Sequence, residues 1–310
     1  MEAVVLEPSG EFAVTDAPEP VPGTGQVLVD VDAIGVAHVD VLARRGEYPD
    51  FPGAGAVPGL ETVGRVSAVG PDVPEDLLGA WGLALPVFGG YAERVVVDAS
   101  RFFPAPQDDD VVGLGVSALV AELALRRVDL AKGESVLVRG AGGGIGILAT
   151  QIAHARGAEV TAVTSSAARG ERLRALGADH VVDRTGSPVP EGTYDVVIDT
   201  VAGPGMGAHL ALLRPNGRYL VCGSAGGIPE PEAFAPLVRH FGDSPTLFSF
   251  NLLTVPLDEI HRSWQRIVAL LGEGRLTPVI DQRLPLAEAD AAVRRVEAGR
   301  PFGKVVLLPR

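Results

Sequence analysis

The residues from Ser135 to Gly146 carry the clearest chemistry in this chain. An apolar run, Val136 to Val138, leads into Gly140-Ala141-Gly142-Gly143-Gly144-Ile145-Gly146. Ala141, Gly143 and Gly146 meet the G-x-G-x-x-G spacing with alanine in the first place. Such a turn lets the backbone approach a pyrophosphate with no Cβ in the way. A helix opening there offers its free N–H groups and the positive end of its dipole to the anion. Ala141, Gly142, Gly143, Gly144, Ile145 and Gly146 are therefore candidate cofactor-binding residues. The next strand, Glu159 to Thr164, chooses between dinucleotides. A binder of NAD places an acid near its end for the ribose 2′-hydroxyl. Here Thr164, Ser165 and Ser166 stand in that place, Arg169 follows, and Arg184 ends the strand after. Hydroxyls with guanidinium groups suit a 2′-phosphate, which points to NADPH.

These residues need a strand–turn–helix–strand unit to position them, and the sequence around them supplies repeats of it. Strands are predicted at Ser135 to Val138, Glu159 to Thr164, His180 to Val182, Asp195 to Asp199 and Arg218 to Gly223, with a sixth at Leu247 to Leu252. Helices are predicted over Leu114 to Arg127, Ile145 to Arg156, around Arg172 to Leu176, and over Met206 to Leu213. Repeated βα units predict an α/β fold, a doubly wound parallel sheet of Rossmann type, over residues 113–256. Residues 1–112 read as β-rich, with strands at Gln26 to Val31, Thr62 to Val69 and Tyr91 to Val97 between Pro- and Gly-rich turns. That spacing predicts a small antiparallel barrel. The stretch 257–310, with an amphipathic helix at Leu257 to Leu271 and a strand at Lys304 to Leu308, is expected to return to the first domain.

Composition narrows the function. The chain has 310 residues, 46% hydrophobic and 21% charged, enough for two domains. A formal net charge of −13, with no basic block, opposes nucleic-acid binding. The single cysteine, Cys222, excludes an internal disulfide framework and a cysteine-rich zinc site. It lies in an apolar run and reads as a small core residue. The sequence shows neither a signal-peptide pattern nor an apolar run near 18 residues, so a cytoplasmic enzyme is expected, without a membrane partner.

Several further stretches resemble one family in order and spacing. They are Gly35-Val36 with Asp40, Arg45-Gly46-Glu47-Tyr48-Pro49, Pro58-Gly59-Leu60-Glu61 with Gly64, and Gly89-Gly90-Tyr91-Ala92-Glu93. After the glycine-rich turn come Leu176-Gly177-Ala178-Asp179, Asp195 to Thr200, Leu213-Arg214-Pro215-Asn216-Gly217-Arg218 and Gly303-Lys304-Val305-Val306. Nearly the whole chain resembles the medium-chain dehydrogenase/reductase superfamily, in its zinc-free quinone oxidoreductase (zeta-crystallin-like) branch.

The resemblance implies a GroES-like first domain and hydride transfer from NADPH to a quinone or an activated double bond. In zinc-binding members a cysteine ligand would fall on Ala37 and a histidine ligand on Leu60. Neither residue can ligate, so no metal is expected. Zinc-free members often carry Asn where Ala37 stands and Pro where His38 stands. The family's usual substrate contact is thereby altered, and His38 is a candidate donor in its place. Tyr48 matches a tyrosine of the active-site cleft, and Ser117 a threonine beside the nicotinamide. Gly223, Phe250, Asn251 and Lys304 are further expected cofactor neighbours. Tyr48, His38 or water would supply the proton. The family also implies a homodimer joined through the strand at Leu247 to Leu252. A polyketide-type enoyl thioester reductase, a non-redox enzyme on this fold, and a cofactor-binding protein with little turnover are the other readings.

Overall fold

Side chains that meet no water on either sheet face produce unbroken apolar runs, and the middle of the chain is built from them. The computed structural model describes residues 1–186 and 191–309. Strands β1 (Glu2–Leu6) and β2 (Phe12–Asp16) form a hairpin. Strand β3 (Gln26–Val36) leads into helix α1 (His38–Arg44), followed by β4 (Thr62–Val69), β5 (Trp81–Ala84), β6 (Arg94–Asp98) and β7 (Phe102–Pro104). Helix α2 (Gly115–Arg127) precedes β8 (Ser135–Arg139), α3 (Gly144–Ala155), β9 (Glu159–Thr164), α4 (Ala167–Ala175), β10 (His180–Asp183) and β11 (Tyr194–Asp199). Then come α5 (Met206–Leu210), β12 (Leu213–Val221), α6 (Ala235–Arg239), β13 (Thr246–Ser249) and α7 (Leu257–Gly272). The chain closes with β14 (Ile280–Pro285), α8 (Ala289–Glu297) and β15 (Lys304–Leu308).

The chain divides into two units, Met1–Val116 with Pro278–Arg310, and Ser117–Thr277. The first holds a seven-stranded sheet in the order β14-β15-β3-β4-β5-β7, with β6 also on β3. Its pairings are antiparallel except β14 with β15, which run parallel. Strand β3 extends five residues beyond the predicted end at Val31, because two register shifts against β4 let one strand serve two neighbours. Its core gathers Val27, Val29, Val31, Ile34, Val95, Val97, Phe102 and Leu307.

The second unit is a six-stranded parallel sheet in the order β10-β9-β8-β11-β12-β13. This is the doubly wound order, with its reversal between β8 and β11.

Both boundaries differ from the sequence expectation: the second unit begins at Ser117 rather than at residue 113, and its end moves further. Helix α7 belongs to the second unit, and the return to the first begins at Pro278 rather than at residue 257. Helix α7 buries Ile260, Ser263, Trp264 and Ile267, one stripe at helical spacing. Arg266 Nε donates to Glu122 Oε1 of α2 (2.9 Å), and Thr277 N to Gln151 Oε1 of α3 (2.8 Å). An apolar stripe on a helix shows that it packs, but not on which sheet.

Candidate functional site

In the second unit, the carboxyl ends of β8, β9, β10, β12 and β13 lead into predicted cofactor residues. Ala141 N donates to Val163 O (3.1 Å), which ties the glycine-rich turn to the end of β9. Gly143 N donates to Gly140 O (3.1 Å) and closes the turn. A Cβ on Gly146 would lie 2.3 Å from Gly140 O and 2.7 Å from Ala141 Cα, so only glycine lets α3 start this close to the turn. Gly143 is the N-cap and carries no side-chain cap, and Gly144, Ile145 and Gly146 form the first turn of α3. An uncapped first turn directs its N–H groups outward.

At the end of β9 the Thr164 hydroxyl is buried and has no hydrogen-bond partner. Ser166 caps α4, its Oγ accepting from Arg169 N at 3.3 Å. Ser165 and Ser166 are half-buried beside it, as is Arg169, while Arg184 is exposed. Arg184 N donates to Thr164 O (2.9 Å), which keeps both arginines at this corner. Further along the sheet Gly223 abuts Thr200, where a Cβ would meet the carbonyl oxygen at 2.5 Å. Phe250 N donates to Val221 O (2.9 Å), and Asn251 Oδ1 accepts from Leu253 N (3.0 Å). Ser117 is buried in α2.

Sequence reasoning did not join Arg139, Asp199 and Tyr219. Arg139 and Asp199 face each other on the last rung of β8 and β11. Asp199 Oδ2 accepts from Arg139 Nη1 (2.9 Å) and from the Tyr219 hydroxyl (2.6 Å). Two charges closing two apolar runs were the available signal.

In the first unit, His38 begins α1. Burial, then the Arg45 charge, lowers its pKa from the ordinary histidine value, so it is a neutral hydrogen-bonding group at neutral pH. Helix α1 ends in a Schellman turn: Gly46, at φ +69°, donates to Ala43 O (3.1 Å), and Glu47 N to Leu42 O (2.8 Å). That turn delivers Tyr48, whose ring stands edge-on to Phe88 at 5.7 Å. Burial, then the Asp50 charge, raises the Tyr48 pKa, which keeps its proton in place at neutral pH.

Below α1 lie two buried polar pairs. Asp40 Oδ2 accepts from Ala37 N (2.8 Å) and the Tyr91 hydroxyl (3.0 Å). Burial pushes the Asp40 carboxyl up to about 6. Glu61, fully buried, accepts from Lys304 Nζ (2.5 Å) and from Val116 N (2.6 Å). Lys304, expected beside the cofactor, has a side chain 3% exposed whose ammonium pairs with the Glu61 carboxylate, the partner a buried charge requires.

The comparisons agree with this architecture. Residues 23–107 match the family model described as alcohol dehydrogenase GroES-like domain, and residues 176–307 the one described as zinc-binding dehydrogenase. The chain is 32% identical to a quinone oxidoreductase of Lama guanicoe over 95% of its length and 92% of that protein's. The solved quinone oxidoreductase of Thermus thermophilus, described with its NADPH complex, is 32% identical, with a TM-score of 0.86 over 99% of this chain and 100% of that one. A spectinabilin polyketide synthase system protein, NorB of Streptomyces orinoci, is 35% identical over 99% of this chain, which spans only 14% of that protein. The chain belongs to the medium-chain dehydrogenase/reductase superfamily, in its zinc-free quinone oxidoreductase branch.

Zinc, which the second family description implies, does not fit. Ala37 and Leu60 offer no donor atom, and Glu61 is committed to Lys304 and Val116 N. Among the described residues no group of three or more His, Cys, Asp or Glu side chains is placed to hold a metal ion.

Proposed function

We propose that this protein is an NADPH-dependent oxidoreductase that reduces a quinone or an α,β-unsaturated carbonyl compound. The end of β9 carries the reading: hydroxyl residues and Arg169 stand there, with no acid, beside a glycine-rich turn and an uncapped helix. Among the chain's own residues, the first turn of α3 would hold the pyrophosphate, and Ser165, Ser166, Arg169 and Arg184 the 2′-phosphate. Ser117, Gly223, Phe250 and Asn251 would line the rest of the cofactor's course. The unpartnered Thr164 hydroxyl fits this use of the corner.

NADPH, when bound, supplies hydride. The protein's part is to orient the acceptor, keep water out and deliver a proton. As the β-carbon of an enone is reduced, negative charge develops on the carbonyl oxygen. In this reading Tyr48, whose pKa burial raises, would donate the proton, and neutral His38 would donate a hydrogen bond to that oxygen.

An enoyl thioester is the second acceptor class, favoured by the identity with the polyketide synthase protein. Steady-state oxidation of NADPH and NADH with a quinone, an enone and an enoyl thioester tests the reading. NADPH-specific turnover of one acceptor supports it. No turnover of any, or equal use of NADH, overturns it.

We also propose a homodimer through β13. This strand pairs only with β12 among the described residues and presents half-buried Leu247 and Phe248. A strict monomer by light scattering at micromolar concentration would overturn that.

A further inference from the structure

The carboxyl ends of β8 and β11 flank the point where the strand order reverses, the place where doubly wound sheets receive ligands. The chain leaving β11 there is held in an unfavourable shape. Ala202 sits at φ +53°, a left-handed conformation that costs a residue with a Cβ. Both of its backbone polar groups are clamped. Asp199 Oδ1 accepts from Ala202 N (3.0 Å) and Val201 N (2.8 Å), while Arg139 Nη1 donates to Ala202 O (2.7 Å). Arg139 Nη2 reaches one step further, to Pro204 O (2.7 Å). His209 Nδ1 lies 2.8 Å from Gly205 O at the far end of the segment.

The clamped segment presses on the cofactor turn. A Cβ on Gly140 would lie 2.3 Å from Thr200 Oγ1 and 2.8 Å from Val201 Cγ2. Thr200 Oγ1 donates to Arg139 O (3.0 Å), and Gly226 N to Val201 O (2.7 Å), so the loop after β12 is carried along.

We propose that Arg139 is a positioning residue that, through Asp199 and the strained Ala202, sets the wall from Thr200 to Pro204 against the glycine-rich turn and shapes the crevice for the nicotinamide half of the dinucleotide. The proposal rests on the NADPH reading. Arg139 suits the task because its planar fork donates from two nitrogens, Nη1 to Asp199 and Ala202 O and Nη2 to Pro204 O, a span that the single nitrogen of an ammonium does not cover. Arg139 pairs through its backbone with Val163 of β9, but its side-chain bonds run to Asp199, Ala202 O and Pro204 O, away from Thr164 to Arg169, so the adenosine half should sense its guanidinium least.

The two halves can be weighed separately with two probes, NADPH and adenosine 2′,5′-bisphosphate, by titration calorimetry. Arg139→Lys keeps the charge against Asp199 but loses the fork. It should weaken NADPH about ten-fold and leave the bisphosphate within about two-fold, as expected for losing hydrogen bonds made to a charged group. Tyr219→Phe removes a single bond to Asp199, leaves the Arg139 fork in place, and should show the same asymmetry at about three-fold; it serves if the lysine variant does not fold. Equal weakening of both probes, or unchanged NADPH binding in a folded variant, overturns the proposal. Wild-type protein that binds neither probe overturns the cofactor reading, and this proposal with it. Wild-type protein that binds both while the variants show no asymmetry overturns the positioning role alone.

Discussion

The glycine-rich turn of the second unit and the cluster beneath α1 in the first are built from different materials. The turn is backbone. Its working groups are the N–H groups of consecutive residues, and its glycines matter for the atoms they lack. The cluster is side chains from distant segments, where Asp40 meets Tyr91 and Glu61 meets Lys304, 243 positions away. In zinc-binding relatives the corresponding region includes ligand positions, and here Ala37 and Leu60 occupy two of them. Here the buried Glu61 carboxylate is paired with Lys304. A backbone site depends on side chains only where a Cβ would clash, as at Gly140 and Gly146. A side-chain cluster fails when one member is removed, because the partner is left charged and dry.

Four perturbations sharpen that contrast. The largest effect is expected at Tyr48, the proposed proton donor of the first unit. Tyr48→Phe deletes only a hydroxyl and should lower turnover on the best acceptor by about 10²–10⁴-fold if that hydroxyl gives the proton. NADPH affinity should be unchanged. Turnover within about two-fold of wild type would assign the proton to water.

Lys304→Met comes next. It strands the Glu61 carboxylate and should lower the unfolding free energy by about 3–5 kcal/mol in urea titrations. The double variant K304M/E61Q should recover most of the loss. A single-variant loss below about 1 kcal/mol would mean that water reaches Glu61.

Asp40 yields a pH effect with a definite sign. Its folded-state pKa is about 6, above the ordinary aspartate value of 3.8. The native state therefore binds this proton more tightly than the unfolded chain. Its favourable contribution is fully present below about pH 4 and is lost as pH rises through 6. Measured against Asp40→Asn, wild-type stability should decline by about 2.4 kcal/mol between pH 4 and pH 7. A relative rise across that window would show that the bonds from Ala37 and Tyr91 outweigh the cost of burial.

The smallest effect belongs to the second unit. Arg169→Ala should weaken NADPH by roughly 1.5–3 kcal/mol, about ten- to a hundred-fold, and leave NADH nearly untouched. An equal loss for both dinucleotides would remove Arg169 from the 2′-phosphate.

The sequence alone determined what periodicity and local backbone chemistry can carry. Buried parallel strands are apolar runs a few residues long, so β8, β9 and β11 were legible to within a residue at either end. The turn was legible because glycine spacing is a local requirement of the backbone. The missing acid after β9 was legible because it is one position on one strand. Tertiary structure decided what depends on meetings between distant residues. It tied α7 to α2 and Thr277 to α3, so the second unit reaches Thr277. It sent Lys304 to Glu61, and it set Arg139 opposite Asp199, with Tyr219 beside them. The reason is energetic. A charge placed in an apolar stretch costs too much unless a counter-charge arrives, and which segment brings that counter-charge is fixed only when the strands find their register.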